Sequence, residues 1–436
     1  MSSALKRAVA GAIALLGIAI PGAFPQGVKS QAATAPRDTS SKASKTIDTS
    51  PRFEIYGFAQ GDAIGDFKSN NPDWFDVNRP SRLPATQDQF GHDGHSWLSA
   101  RQSRFGTKAT IPTTTGDIKI VFDWDLFGVG PDQGQTTIRP RHMYGQWGAF
   151  GGGQTESPFM DLDVFPNILE YWGPNGMLFF RNVQLFWQPV NRSDGTRVTL
   201  ALERPGASGD LGVAADRIEL QNIKPRYPMP DISGEYRLGG KFGYAKLGAI
   251  VRWLRWDDVL PNDAFDLSGG TTGWGVSLST GLNLGARDVL RLQGVVGAGV
   301  ENYFNDAPID VGAKNHPGSP TRPVTGEALG DLGLVAYLDH RWNSRFTSAI
   351  GYSRVDIDNS DLQAPTAFKS GQYASANLLF TPVNNVLFGG EFQYAHRDNF
   401  GGGFHADDFR LQFSLKYSFT QKLGGTGREP ITAQDK

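Results

Sequence analysis

A chain of 436 residues with 42 Lys+Arg, 44 Asp+Glu and no cysteine lacks the basic excess that nucleic-acid binding requires. It also lacks the thiols for disulfide scaffolds, Cys-ligated zinc or iron–sulfur sites and thiol catalysis. Its 54 Gly and 11% aromatic residues are unlike an ordinary α/β enzyme, and its negative mean hydropathy is too polar for a bundle of membrane helices.

At the N-terminus, Lys6 and Arg7 precede a stretch from Ala8 to Ile20 made only of Ala, Val, Gly, Ile and Leu. Thirteen residues are too few to cross a hydrocarbon core, which takes roughly 20. A positive flank, a short apolar run and then Pro21-Gly22-Ala23 have the form of a secretory signal peptide, assigned to residues 1–33. Cleavage fits after Ala23 or near Ala33 to Ala35. Residues 34–50 are a Ser/Thr/Ala/Lys tract without an apolar face, the composition of a flexible linker. No later apolar run reaches 18 residues, so no transmembrane helix is expected.

From Phe53 to Thr420 the dominant signal is alternation, which puts one residue class on each face of a strand. It predicts sixteen strands, at 53–66, 95–110, 117–127, 139–147, 149–156, 178–188, 197–204, 226–238, 243–256, 273–284, 288–301, 328–341, 345–356, 370–381, 386–397 and 407–420. In the third, Ile118, Ile120, Phe122, Trp124 and Leu126 alternate with Asp117, Lys119, Val121, Asp123 and Asp125. In the last, Phe409, Leu411, Phe413, Leu415, Tyr417 and Phe419 alternate with Asp408, Arg410, Gln412, Ser414, Lys416 and Ser418. Several runs reach 12–14 residues, beyond the usual soluble strand and enough to cross a membrane when tilted. Long connectors (67–94, 157–177, 205–225, 257–272, 302–327, 357–369) alternate with short ones such as Gly285-Ala286-Arg287 and Trp342-Asn343-Ser344. An open sheet edge is not tolerated in lipid. The expected fold is therefore all-β: a 16-stranded antiparallel transmembrane β-barrel over 51–420, with long external loops and short periplasmic turns. Residues 421–436 would be a polar tail. Tyr56, Phe105, Trp147, Trp187, Trp253, Trp256, Trp342 and Tyr417 would form the interfacial aromatic girdles.

Phe53-Glu54-Ile55-Tyr56-Gly57-Phe58 is similar to the opening of porins in general. Arg101-Gln102-Ser103-Arg104-Phe105-Gly106, Tyr144-Gly145-Gln146-Trp147 and Gly153-Gln154-Thr155-Glu156-Ser157-Pro158-Phe159-Met160-Asp161 resemble the DcaP-like trimeric outer-membrane porins. The resemblance covers about 51–420, with its distinctive motifs in the first third. It implies a homotrimer of sixteen-stranded barrels, a third loop folded into each lumen, and passage of small anions such as dicarboxylates. Glu156 departs from the pattern, standing where an aromatic residue is expected. So do the seventeen residues after Phe419, since porins typically end on an aromatic.

A barrel of this size holds an aqueous channel, whose selectivity follows the charges at its constriction. Between residues 51 and 420 there are 24 Arg and 9 Lys, and arginine suits carboxylate recognition through its planar, always-charged fork. On the face opposite the apolar stripe lie Arg104, Arg197, Arg237, Arg252, Arg291, Arg345, Arg397 and Arg410, with Lys119 and Lys416. Arg139 and Arg141 join these channel-lining candidates, although 139–147 has no clean stripe. The competing reading pairs them with Glu54, Asp123, Asp125, Glu203, Glu235, Glu391 and other lumen acids. Loop 157–177 carries Phe159, Met160, Phe165, Ile168, Leu169, Tyr171 and Trp172, which is too apolar to remain in water. Folded inward it would form the constriction, with Phe159 in it and Asp161, Asp163 and Glu170 facing the arginines; otherwise it is a subunit contact or an external cap. Gly57, Ala59, Gly61 and Ala63 on the first strand suit close subunit contact.

His92 and His95 have no third metal ligand nearby in sequence, and neither Gly151-Gly152-Gly153 nor Gly401-Gly402-Gly403 is followed by a phosphate-binding Lys-Ser/Thr. No cofactor is expected. No nucleophile, base and orienter fall at catalytic spacing, so the chain is expected not to be an enzyme. Its expected partners are small anionic solutes and outer-membrane lipid, not nucleic acid. An outer-membrane barrel hydrolase and a secreted β-rich adhesin are the alternatives from other classes.

Overall fold

The computed structural model describes residues 50–128, 137–260 and 264–424. The signal-peptide assignment, nearly all of the linker and most of the tail lie outside these residues. The first eight strands are β1 (Arg52–Asp66), β2 (His95–Ser99 and Arg104–Ile111), β3 (Ile118–Asp125), β4 (Arg139–Trp147), β5 (Phe150–Glu156), β6 (Arg181–Asn191), β7 (Arg197–Glu203) and β8 (Ile223–Arg226 and Asp231–Gly240). The second eight are β9 (Gly243–Asp258), β10 (Gly269–Leu284), β11 (Asp288–Ala298), β12 (Gly330–Arg341), β13 (Phe346–Asp358), β14 (Phe368–Phe380), β15 (Val386–Asn399) and β16 (His405–Leu423). All sixteen match the alternating segments of the sequence.

Each strand pairs antiparallel with the next. β1 then pairs with β16 from Phe53↔Leu423 to Asp66↔Arg410, closing the cylinder without a free edge. The last strand runs past Phe419 to Leu423, so the start of the expected tail is wall. The short turns all lie at one end. Gly285 (φ 77°) and Asn385 (φ 70°) supply the left-handed backbone that two of them require. At the other end are L1 (67–94), the described parts of L2 (126–128 and 137–138), L3 (157–180), L4 (204–222), the described parts of L5 (259–260 and 264–268), L6 (299–329), L7 (359–367) and L8 (400–404). A small sheet of Gly209–Asp210, Val311–Asn315 and Val324–Ala328 ties L4 to L6.

Two strands expected to be continuous are interrupted. β2 breaks at residues 100–103, where Arg101 turns inward to Asp76 at 2.8 Å. β8 breaks at Tyr227-Pro228-Met229-Pro230 because two prolines cannot donate to the ladder.

The pleat separates the faces. Leu185, Leu247, Ile350, Phe413 and Leu415 are exposed outward, as a lipid-facing wall requires. Phe105, Trp147, Trp187, Trp342 and Tyr417 are exposed with them. Tyr56 and Trp256 correct the girdle expectation. Tyr56 donates inward to Asp123 (3.2 Å) and Trp256 to the Leu267 carbonyl (2.8 Å). Tyr56 shares its parity with Glu54 and Gln60, so alternation already placed it on the inner face.

The buried core lies inside the long-loop half of the cylinder. Phe159, Met160 and Leu178 of L3 pack with Ile250, Val295, Tyr303 and Phe304. Val164 and Met177 pack with Val335, Tyr337 and Tyr373. Burying each such side chain is worth about 1.5–3 kcal/mol, which holds L3 against the wall.

Candidate functional site

L3 leaves β5 and crosses the lumen along a line of wall partners. Ser157 Oγ donates to Glu203 (2.6 Å), and Asp161 accepts from Tyr244 (2.9 Å) and from Ser279. The Asn167 N–H donates to Asp339 (3.1 Å), and the Leu169 and Glu170 N–H groups donate to Glu391 (2.7 and 3.0 Å). At the tip Tyr171 donates to Asp125 (2.6 Å) and meets Arg139 and Arg141. The return arm runs past Ser353, which accepts from the Gly176 N–H (2.8 Å), and past Gln293, which accepts from the Leu178 N–H (2.9 Å).

Apart from Glu203 on β7 and the Asp125, Arg139 and Arg141 cluster on β3 and β4, these partners lie on the inner face of β9–β15, and the space along β4–β9 is less filled. A cavity of about 250 Å³ lies there between L3 and the wall, bounded by Tyr144, Gln184, Arg197, Glu235, Lys246, Asp161 and Asp163. L1 and L6 close over the packed side. The Arg79 guanidinium sits 4.5 Å from the ring centres of both Trp74 and Trp172 and pairs with Asp306 at 2.9 Å. One cation thus joins L1, L3 and L6.

Most of the expected channel arginines are paired with carboxylates. Arg197 binds Glu235 (2.5 Å), which Lys246 also holds (2.7 Å). Arg237 binds Asp163 (2.5 Å) and Arg291 binds Asp339 (2.7 Å). Arg139 and Arg141 share Asp125 at 2.7 and 3.1 Å. Arg252, between Asp231 and Asp310 (3.0 Å each), is 1% exposed, and Arg410 on Asp66 (2.5 Å) is 0% exposed. Neither of these two can touch a passing solute; both lie in the packed region under L1, L3 and L6. Arg397 anchors L1 and L7 through the carbonyls of Ser81 (2.6 Å) and Thr366 (2.8 Å). Arg345 is exposed in the β12–β13 turn.

The L3 acids divide as well. Asp161 and Asp163 stand beside Arg237, 3.8 and 2.5 Å away. Glu170 faces the packed side, accepting from the Asn78 (3.2 Å) and Trp172 (2.9 Å) N–H groups, with Arg410 at 4.0 Å. Burial pushes its carboxyl up to about 8 despite the nearby guanidinium. Phe159 is wholly buried under L3 rather than in the aperture.

Arg104, Arg139, Arg141 and Arg181 form a group with Asp123, Asp125 and Glu156. Arg104, Arg141 and Arg181 are close enough to act on one another electrostatically. Among the described residues no carboxylate lies within 4.0 Å of Arg104 or Arg181. Arg104 lies over the Phe58 ring (5.3 Å) and Arg181 over Phe179 (4.7 Å). Arg181 is in register with Glu156, but Glu156 turns to His142 (3.6 Å). Nε and Nη2 of Arg181 and Nε of Arg104 are buried without hydrogen-bond partners. Lys119 lies nearer the short turns, opposite Thr110 and Gln146. Arg181, Lys246, Tyr144 and the Trp74–Arg79–Trp172 stack are absent from the sequence candidates. Lys246 carries the inward parity of Arg252 on the same strand, and alternation alone would have found it.

Residues 27–217 match the model of the DcaP outer membrane protein family, in line with the motifs read from the sequence. Among solved structures, the outer membrane channel DcaP of Acinetobacter baumannii is similar with a TM-score of 0.68 at 20% identity, over 84% of this chain and 97% of that chain. An anion-selective porin from Comamonas acidovorans is similar with a TM-score of 0.53 at 10% identity, over 85% of this chain and 100% of that chain. No curated protein matches. The chain is a β-barrel of the bacterial outer membrane, with the architecture of a porin-type channel.

Proposed function

We propose that the protein is a passive diffusion channel that favours small anionic solutes, dicarboxylates among them. The observation that carries this reading is the group of Arg104, Arg139, Arg141 and Arg181 on β2, β4 and β6, in which the Arg104 and Arg181 guanidiniums have, among the described residues, no carboxylate within 4.0 Å. An ion-paired arginine contributes little net field, so the excess of Arg over Lys in the sequence does not by itself favour anions. An unpaired one attracts an anion and offers it a bidentate fork. Arg139 and Arg197, with side chains 27% and 33% exposed, add donors along the same path, and Lys119 extends it toward the short turns. Asp161 and Asp163 on L3 border the same cavity, with Asp163 paired to Arg237 at 2.5 Å.

The barrel is proposed to act as a homotrimer. Ala59, Gly61 and Ala63 form a flat, exposed outward strip on β1, where backbones of neighbouring copies can approach closely. The test is a reversal-potential measurement on the reconstituted protein under a potassium chloride gradient. Chloride more permeant than potassium is the expected result, and preference for potassium would overturn the anion reading.

A further inference from the structure

A second cavity, of about 340 Å³, lies at the long-loop end where β8 is interrupted. It falls within the size range of small-ligand sites, and its lining is mainly apolar. The wall is discontinuous there. β7 ends at Glu203, the two pieces of β8 are separated by Tyr227-Pro228-Met229-Pro230, and L4 paired with L6 covers the space above β7. The cavity is lined from both faces of β9: Leu254 and Trp256 from inside, Trp253 and Arg255 from outside. It therefore abuts the end of β9 as well as L4 and L6. At its outer side Tyr227 and Met229 are about half exposed, continuous with the apolar belt at Val251 and Trp274.

That belt is the surface this outer-membrane barrel presents to lipid, and the long-loop end lies in the outer leaflet. In the homotrimer proposed above, a neighbouring copy seated on the small-residue strip of β1 lies across the barrel from β8 and β9 and leaves the cavity uncovered. We propose that the cavity holds one acyl chain of a phosphorylated glycolipid of the outer leaflet. At roughly 30 Å³ for a water-sized group, the space takes on the order of ten methylenes. Arg204 and Lys224 flank the lining residues Pro205, Ile223 and Pro225 in the chain; both are exposed and, among the described residues, form no ion pair. They are the basic groups next to the cavity in the chain, assigned here to the lipid's phosphate.

The test uses the full-length protein in detergent, titrated with hexa-acylated lipid A and read by native mass spectrometry. The wild type should retain one lipid per barrel. Gly209→Phe should bind at least tenfold more weakly, since a Cβ there meets nothing nearer than Val311 O at 3.9 Å and the ring fills the cavity. Heat-modifiable gel mobility reports whether the variant is folded. Gly206→Leu, whose Cβ has no neighbour within 4 Å, serves the same purpose should the first variant misfold. No retention by the wild type, or equal retention by wild type and variants, would overturn the site. Equal, cavity-dependent retention of dipalmitoyl phosphatidylglycerol would overturn the glycolipid assignment.

Discussion

Replacing Arg181 by Gln removes a guanidinium that, among the described residues, has no carboxylate within 4.0 Å, while keeping a polar side chain. A unit charge acts on an ion at 4 Å with about 1 kcal/mol in bulk water and about 4 kcal/mol at an effective dielectric of 20. The aqueous limit applies best to a solute moving through an open sector. The same charge attracts an anion and repels a cation, so the permeability ratio changes by about 2 kcal/mol, or roughly thirtyfold. Screening over a Debye length of about 10 Å at 0.1 M salt reduces this to about three- to tenfold. The assay is the reversal potential under a potassium chloride gradient, repeated near 1 M salt, where the Debye length of about 3 Å should shrink the effect. Arg354→Gln is the control, because Arg354 pairs with Asp356 on the outer face at 2.6 Å. An unchanged ratio in Arg181→Gln and in Arg104→Gln would refute the idea that unpaired guanidiniums set selectivity.

Tyr171→Phe removes the hydroxyl that Asp125 accepts at 2.6 Å. It should loosen the tip of L3 by about 1–3 kcal/mol, seen as larger current noise in single-channel records, with a quiet trace counting against the latch. Arg252→Leu leaves Asp231 and Asp310 buried without their cation. It should destabilise the barrel by about 3–5 kcal/mol, lowering the temperature at which gel mobility shifts. Glu170, raised to about 8 by burial, stabilises L3 in its protonated form. That contribution is complete below the ordinary carboxylate range and is lost as pH rises through about 8. Noise should therefore grow from about pH 5 to about pH 8 in the wild type, level off above that, and stay flat in Glu170→Gln; a parallel rise in both would show that another group titrates. Gly61→Phe adds a ring on the outward strip where a Cβ meets nothing within 4 Å. It should fold normally yet run as a monomer by light scattering, and an intact trimer would move the subunit contact elsewhere.

Much of the molecule is legible in the chain because a strand's facing repeats every two residues and needs only neighbours to be read. Alternation gave sixteen strands, their inner and outer faces and the uneven lengths of their connectors. It failed at β2 and β8, where a side chain recruited by a distant loop and a pair of prolines interrupt the ladder. What alternation cannot state is which inward arginine meets which acid. Arg410 finds Asp66 across 344 residues and Arg79 finds Asp306 across 227. Those partners are set by barrel closure and by the route L3 takes along β9–β16, and both are tertiary. Composition and period thus determined a barrel with a basic inner face. Only the folded arrangement decided that most of the candidate arginines pair with carboxylates, while Arg104 and Arg181, among the described residues, do not.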